Sequence, residues 1–358
     1  MSVLFLNQLI GRLRRRKKSR NSLGFTLTEL LISIIIGSLI VMGLMSLVVE
    51  LISTETRETA RTETQREMQM ALDFISTDIR EAVYVYDGKC LADEDLSGTG
   101  SQISDSCSGL FKNGYVPRPN SESVPILAFW KLEPLPSQVR DNCVNLIGTE
   151  ACIVGRMYTL VVYWLSRENT GIWQGKSRIL RYTLSRYEND GDLVSGYADP
   201  TVNTSFERWP LDLEGNNQQE GTPPDNRFAV LVDFVDDRAL GDIPELVEAG
   251  GASIECPAEE TTNSRVRYIR TPSDSTLEQY GFTNMRNFYA CVKLPEKFTQ
   301  NNNENEGESG AFNQKVILFL RGNAAGKPGI TTANEGFMPA IQTQVLNRGV
   351  RNKKPPTD

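Results

Sequence analysis

The residues best placed to do chemistry lie close to the N-terminus. Gly24 is followed at once by Phe25, and a carboxylate, Glu29, stands just ahead of an unbroken apolar run from Leu30 to Val49. An ionised residue at the edge of such a run is costly, so it calls for a partner and a role. Seven cations (Arg12, Arg14, Arg15, Arg16, Lys17, Lys18 and Arg20) precede it, with no acid among residues 1 to 28. The run is long enough, at about 1.5 Å per helical residue, to cross a bilayer core of about 30 Å. A basic flank on one side of such a span marks the cytoplasmic side.

Other chemistries are excluded or weak. The chain has no histidine, which removes His-based acid–base catalysis, Ser-His-Asp triads and His-containing zinc sites. Carboxylates abound, but no spacing singles out a catalytic pair, so no enzyme and no cofactor is expected. The loop Glu188-Asn189-Asp190-Gly191-Asp192 gathers acidic oxygens and is a weak Ca²⁺ candidate through Glu188, Asp190 and Asp192. It lacks the full Ca²⁺-loop spacing, and a tight turn is the plainer reading. Trp173 and Trp209 fall in predicted loops and would favour sugar stacking if exposed, whereas Trp164 reads as core. The formal charge is −7, and setting the seven leader cations apart takes it to −14. So acidic a chain is a poor nucleic-acid binder.

The pattern Gly-Phe-Thr-Leu-x-Glu, behind a basic leader and ahead of a long apolar run, resembles the class III signal of type IV prepilins and pseudopilins. An ordinary signal peptide has a shorter apolar region and a small-residue cleavage site after it; a lipoprotein needs a cysteine at the cut, and none occurs before Cys90. The resemblance implies cleavage by a prepilin peptidase between Gly24 and Phe25, and N-methylation of Phe25. It implies assembly with other major and minor pilins on an inner-membrane platform. It makes the Phe25 α-ammonium of a neighbouring subunit the partner of Glu29. Ser33 and Gly37 share a helix face and offer a small-xxx-small packing stripe, or are incidental small residues in a span.

Further along, YTLVVYWLSRENTGIWQGKSRILRYTLSRYE and VILFLRGNAAGKPG resemble the large PilW-type minor pilins of cyanobacteria. Among these the chain resembles the pseudopilins of hormogonium polysaccharide secretion, the HpsC kind. That likeness implies a pilus-like machine for gliding motility and polysaccharide secretion. Its subunit crosses the inner membrane once, with a cytoplasmic N-terminus and a periplasmic ectodomain, and reaches the cell surface after assembly. A tip-located module contacting polysaccharide is the alternative role. The chain departs from major pilins in carrying Ser46 where they have a helix-breaking proline, although Gly37 and Gly43 remain in the span.

The elements that must position these residues follow from periodicity. Met68, Ala71, Leu72, Ile75 and Ile79 recur at helical spacing, so one helix is predicted from Phe25 to Val83, apolar first and amphipathic last. Short strands are predicted at Val124–Trp130, Met157–Ser166, Arg178–Tyr187, Phe228–Asp236, Phe288–Lys293 and Val316–Arg321. Met157–Ser166 is apolar on both faces and reads as a central strand covered by the helix on one side. Pro125 demotes the first strand towards a sheet edge. Residues 167–176 read as a hairpin loop, and 199–226 and 301–310 as surface loops. The fold class is α+β: a long N-terminal helix packed on an antiparallel sheet domain, pilin-like. The organisation is a leader at 1–24, a helix at 25–83 with its span at 30–49, a β-rich ectodomain at 84–350 and a tail at 351–358.

Six cysteines, Cys90, Cys107, Cys143, Cys152, Cys256 and Cys291, all lie in the predicted ectodomain. An even number outside the cytoplasm reads as disulfides. About 15 connectivities are possible. Proximity in sequence favours Cys90–Cys107, Cys143–Cys152 and Cys256–Cys291; buried free thiols are the alternative.

Overall fold

The structure is a computed structural model. It describes residues 24, 26–91, 109–111, 113–143, 155–169, 171–239, 242, 256–257, 268–293, 314–336 and 338–347. The leader before Gly24, Phe25, Cys107, Cys152, the Asn/Glu-rich stretch 301–310 and the tail 351–358 lie outside them. The chain divides into two compact units, residues 1–55 and 56–358.

The long helix α1 runs from Leu27 to Arg80. Its buried positions in the second unit are Ala60, Thr64, Met68, Ala71, Leu72, Ile75, Ser76, Asp78 and Ile79, a single face at spacings of three and four. The apolar stripe read from the sequence is therefore the docked face, and Ala60 and Thr64 extend it. The helix stops three residues before the predicted end. After Glu81 the chain turns into strand β1, Ala82–Val85, whose backbone is claimed by β2.

Two antiparallel sheets follow, as the α+β reading requires. The first has the order β1–β2–β3–β4–β5, with β2 Ser123–Pro134, β3 Arg156–Ser166, β4 Ser177–Ser185 and β5 Phe228–Val235. The second has the order β6–β7–β8–β9, with β6 Tyr268–Thr271, β7 Phe288–Lys293, β8 Lys315–Leu320 and β9 Ile341–Leu346. β3 is central in the first sheet. Val161, Tyr163 and Leu165 face a core shared with the α1 stripe and with Ala290, Val316 and Leu318 of the second sheet. Leu160, Val162 and Trp164 face a second core with Tyr86, Trp130, Tyr182 and Trp209. Two apolar faces on one strand thus mean two cores, one roofed by the helix and one by loops.

Two expectations are corrected. β2 is an interior strand, not an edge. Pro125 is tolerated because it lies at a register shift against β3 and outside the Phe129–Lys131 stretch that pairs with β1. Trp209 is fully buried, with its indole N–H donating to the Ala198 carbonyl at 2.8 Å. The 199–226 segment is thus more than a surface loop: it folds an aromatic anchor against Trp130, ring centroids 5.2 Å apart.

Candidate functional site: the N-terminal helix and its lock

Thr26 starts the helix. Its hydroxyl accepts from the Glu29 N–H at 3.3 Å, and its carbonyl accepts from Glu29 and Leu30 at 3.0 and 3.1 Å. Thr26 and Glu29 stand at the spacing of a capping box, so the helix begins two residues beyond Gly24 and ends its first turn at a carboxylate. Both Gly24 and Glu29 are exposed. A carboxylate here also meets the positive end of the helix dipole, worth about 0.3–1 kcal/mol.

From Leu30 to Ile52 the large apolar side chains are exposed all round, as in Ile34, Leu39 and Met42. A helix apolar on every side needs an apolar surrounding, and this one is long and apolar enough to cross a membrane. Two of its hydroxyls are satisfied within the helix: Ser33 donates to the Glu29 carbonyl at 2.7 Å and Ser38 to the Ile35 carbonyl at 2.8 Å. A Cβ built on Gly37 meets no atom within 4 Å, so Ser33 and Gly37 leave an unfilled stretch of helix surface.

The second unit grips its part of α1 at two levels. Near Thr56 the loop after β8 holds the helix. Arg57 Nε donates to the Gly329 carbonyl at 3.0 Å, Lys327 pairs with Glu67 at 3.0 Å, and Ala60 packs with Ala324, Ala325 and Ile330. Near the helix end Asp78 is buried on the sheet. It accepts from Lys131 at 2.9 Å, from Arg181 at 2.8 Å and from the Tyr163 hydroxyl at 2.6 Å. Lys131 also pairs with Glu133 at 2.7 Å. One carboxylate on the helix is thus held by β2, β3 and β4 together.

Burial alone would raise the Asp78 carboxyl. The hydrogen bond and charge of Arg181, with Tyr163 and Lys131, outweigh burial and hold it below its ordinary value of 3.8. Burial works against Lys131 too, but Glu133 and Asp78 raise it. Burial first, then the Asp78 charge, drives the Tyr163 hydroxyl far upward. All three groups keep their ordinary protonation at neutral pH, so the cluster acts as a lock. The sequence reading missed it. The available signal was a carboxylate in phase with the stripe, three residues after Ile75.

The remaining sequence candidates separate. Cys256 and Cys291 are joined, tying the segment before β6 to β7. Cys90 and Cys143 are disulfide-bonded as well. The acidic loop is a tight turn: Gly191 takes a φ of +95°, its N–H donates to the Glu188 carbonyl at 3.0 Å, and Glu188 is paired with Arg227. Asp190 accepts from the backbone N–H of Asp192 at 3.2 Å. Among the described residues no group of three or more candidate ligands is placed to hold a metal ion. Trp173 is 37% exposed, while Trp130, Trp164 and Trp209 are fully buried.

Comparison with known families gives one match. Residues 19–45 fit the prokaryotic N-terminal methylation motif. No curated protein and no solved structure matches the chain. The matched segment contains Gly24, Phe25, Glu29, Ser33 and Gly37. It supports a type IV pilin-like protein, processed by a prepilin peptidase and assembled with other pilins, and with the apolar helix it suggests membrane anchoring.

Proposed function

We propose that the chain is a minor pilin or pseudopilin subunit of a type IV pilus-like machine. It is cut between Gly24 and Phe25, held in the inner membrane by residues 30–49, and built into a filament or its priming complex through α1. The observation that carries this reading is Gly24-Phe25 with Glu29 ahead of the apolar run, inside the matched motif at residues 19–45. The lock at Asp78 supports it in a second way. A helix gripped by three strands passes any load on it directly into the first sheet. The absence of histidine and of a paired-carboxylate motif supports a role without catalysis. N-terminal sequencing of membrane-derived protein tests the reading: the mature chain should begin at Phe25, and Gly24→Ala should block the cut. A mature chain starting elsewhere sinks it.

The finer role we propose is in gliding motility and polysaccharide secretion, on the likeness of 158–188 and 316–329 to PilW-type minor pilins. Deleting the chain from its host should stop both. A strain that glides and releases polysaccharide normally removes that role while leaving the pilin reading in place. A second reading, a tip module that contacts polysaccharide, rests on the partly exposed Trp173 beside Phe74 and Ile172, and is weakened by the burial of Trp209.

A further inference from the structure

The part of α1 between the apolar run and the docked stripe is a poor helix by composition. Residues 53–64 read STETRETARTET: six of the twelve are Ser or Thr, and Ala60 is the only apolar residue. Threonine loses side-chain freedom in a helix, and its hydroxyl competes for backbone carbonyls. Thr54 donates to the Glu50 carbonyl at 3.0 Å, Thr62 to Glu58 at 2.8 Å and Thr64 to Ala60 at 2.9 Å. Such back-bonds weaken and bend helices. The charges add to this. Arg57 and Arg61, and Glu63 and Glu67, are like-charged pairs four residues apart, which oppose helix formation. Among the described residues one ion pair inside the segment, Arg61 with Glu58 at 3.4 Å, works the other way. A helical stretch of this length and composition needs an outside support.

The loop after β8 supplies it. Gly329 lies against the helix: an added Cβ would stand 3.2 Å from Thr56 Cγ2 and 3.3 Å from Arg57 Cγ. The loop also relieves both like-charged pairs. Arg57 Nε donates to the Gly329 carbonyl at 3.0 Å, and Lys327 lies 3.0 Å from Glu67 and 3.9 Å from Glu63. Ala324, Ala325 and Ile330 cover Ala60. At its base the loop is fixed: Asn323 Nδ2 donates to Asp236 Oδ1 at 3.0 Å, and Ala324 N–H to the Gly336 carbonyl at 2.8 Å. Its tip is exposed at Gly326, Pro328 and Gly329, and the two glycines take φ of +98° and +80°. The tip's ionic ties reach carboxylates that are 62% and 40% exposed, Glu63 and Glu67, so each is weak. From Met68 to Ile79, by contrast, buried apolar side chains and the Asp78 lock hold the helix. The boundary between the two compact units, at Glu55 and Thr56, falls inside the weak segment.

We infer that residues 324–330 form a releasable clasp on α1, and that opening it turns residues 53–64 from helix into a flexible joint between the apolar run and the sheet domain. Closed, the clasp keeps one continuous helix. Open, it lets the domain turn on the membrane-spanning part while the Asp78 lock keeps the rest of α1 docked. The use as a joint rests on the reading of residues 30–49 as a membrane span; the clasp itself does not.

Hydrogen exchange of the full chain in detergent tests this. Amides of residues 57–66 should exchange at least about a hundredfold faster than those of 72–79, because their opening is local. Lys327→Ala should speed exchange at 57–66 about tenfold more and leave 72–79 unchanged. Thr59→Ala with Thr62→Ala, both at exposed positions, raises helix propensity and should slow exchange at 57–66 about fivefold, with or without Lys327. Equal protection of the two stretches in the wild-type chain overturns the inference. So does a Lys327→Ala chain in which neither stretch changes or both change alike. If Lys327→Ala does not fold, the threonine pair decides alone, and unchanged exchange at 57–66 overturns the inference. Equal protection leaves the pilin reading standing, whereas a mature chain that starts elsewhere than Phe25 removes that reading and leaves the clasp.

Discussion

The Tyr163 hydroxyl donates to Asp78 Oδ2 at 2.6 Å, so the middle strand of the first sheet and the helix laid across it share one buried contact. Arg181 Nε reaches the same oxygen at 2.8 Å and Lys131 takes the other at 2.9 Å. The carboxylate is nearly out of solvent, and three donors satisfy it. Removing Asp78 takes the carboxylate from Arg181 and from the Tyr163 hydroxyl, while Lys131 keeps Glu133, a loss of up to about 3–5 kcal/mol. Asp78→Ala should therefore lower stability by that order in urea unfolding, and Thr77→Ala, exposed on the same turn, by much less.

The pH dependence follows from the same cluster. The Asp78 carboxyl is held below its ordinary value in the folded chain. A depressed acid contributes stability that is fully present above its unfolded value, about 3.9, and is lost as pH falls through the folded one. Unfolding free energy should be flat in this contribution from neutral pH to about 5 and drop below about 4. Asp78→Asn should lower the plateau and flatten the acid limb. An acid limb of unchanged slope in that variant would show that other carboxylates set it.

Gly322 touches the docked face of α1. A Cβ there would lie 2.9 Å from Met68 Cγ and 3.2 Å from Thr64 Cγ2, and both side chains are fully buried. Gly322→Ala should cost about 1–3 kcal/mol through overpacking. Met68→Ala opens the space and should relieve part of that cost, so the double variant should be less destabilised than the sum of the singles. Strict additivity in urea unfolding would mean that the loop, not Met68, yields.

The disulfide Cys256–Cys291 closes a loop across a sequence separation of 35. Constraining the unfolded chain over that length is worth about 4 kcal/mol in the chain-entropy model. Cys256→Ala with Cys291→Ala should lower stability by up to that amount. Differential scanning calorimetry of the full chain in detergent reads the change. An unmoved transition would mean that packing around Tyr289 and Phe319, whose rings stack at 4.5 Å, already holds this face.

What could be read from the sequence depended on the range of the forces involved. The docked stripe of α1 was legible because Met68, Leu72, Ile75 and Ile79 repeat with the helix itself. β3 was legible because both of its faces are apolar, which only a doubly covered strand requires. β1 was not, because Ala82–Val85, although Val83, Tyr84 and Val85 favour strands, is too short and too close to the helix end to show an alternation of its own, and it is fixed as a strand by pairing with β2. Pro125 misled because a local rule about edges met a strand whose neighbour covers only part of it. Trp209 misled because its burial depends on Ala198 and Trp130, which no local pattern links to it. Asp78 was passed over because a charge within an apolar stripe reads as an interruption until Lys131, Tyr163 and Arg181 converge on it. The motif at Gly24, Phe25 and Glu29 is different in kind: its meaning lies in spacing along one helix turn.

Glu29 allows two roles to be separated. Thr26 already caps the helix through its own hydroxyl and carbonyl, so the first turn does not depend on the Glu29 side chain. If the carboxylate serves only the helix dipole, replacing it costs a few tenths to about 1 kcal/mol and leaves assembly intact. If it pairs with the Phe25 α-ammonium of a neighbour, the pair exists only after assembly. Cleavage and membrane insertion act on the single chain. Glu29→Val should then leave both largely unchanged, and insertion should even become easier, since an acid at a helix centre costs about 2.5–3.5 kcal/mol on insertion scales and less near an end. Incorporation should fail, because the neighbour's amine would be buried without a partner, a loss of several kcal/mol per contact. The measurement compares Glu29→Val with wild type for peptidase cleavage and for co-purification with other pilins. Normal cleavage with lost co-purification supports the ion pair. Normal co-purification retires it and leaves Glu29 as an acid at a helix N-terminus.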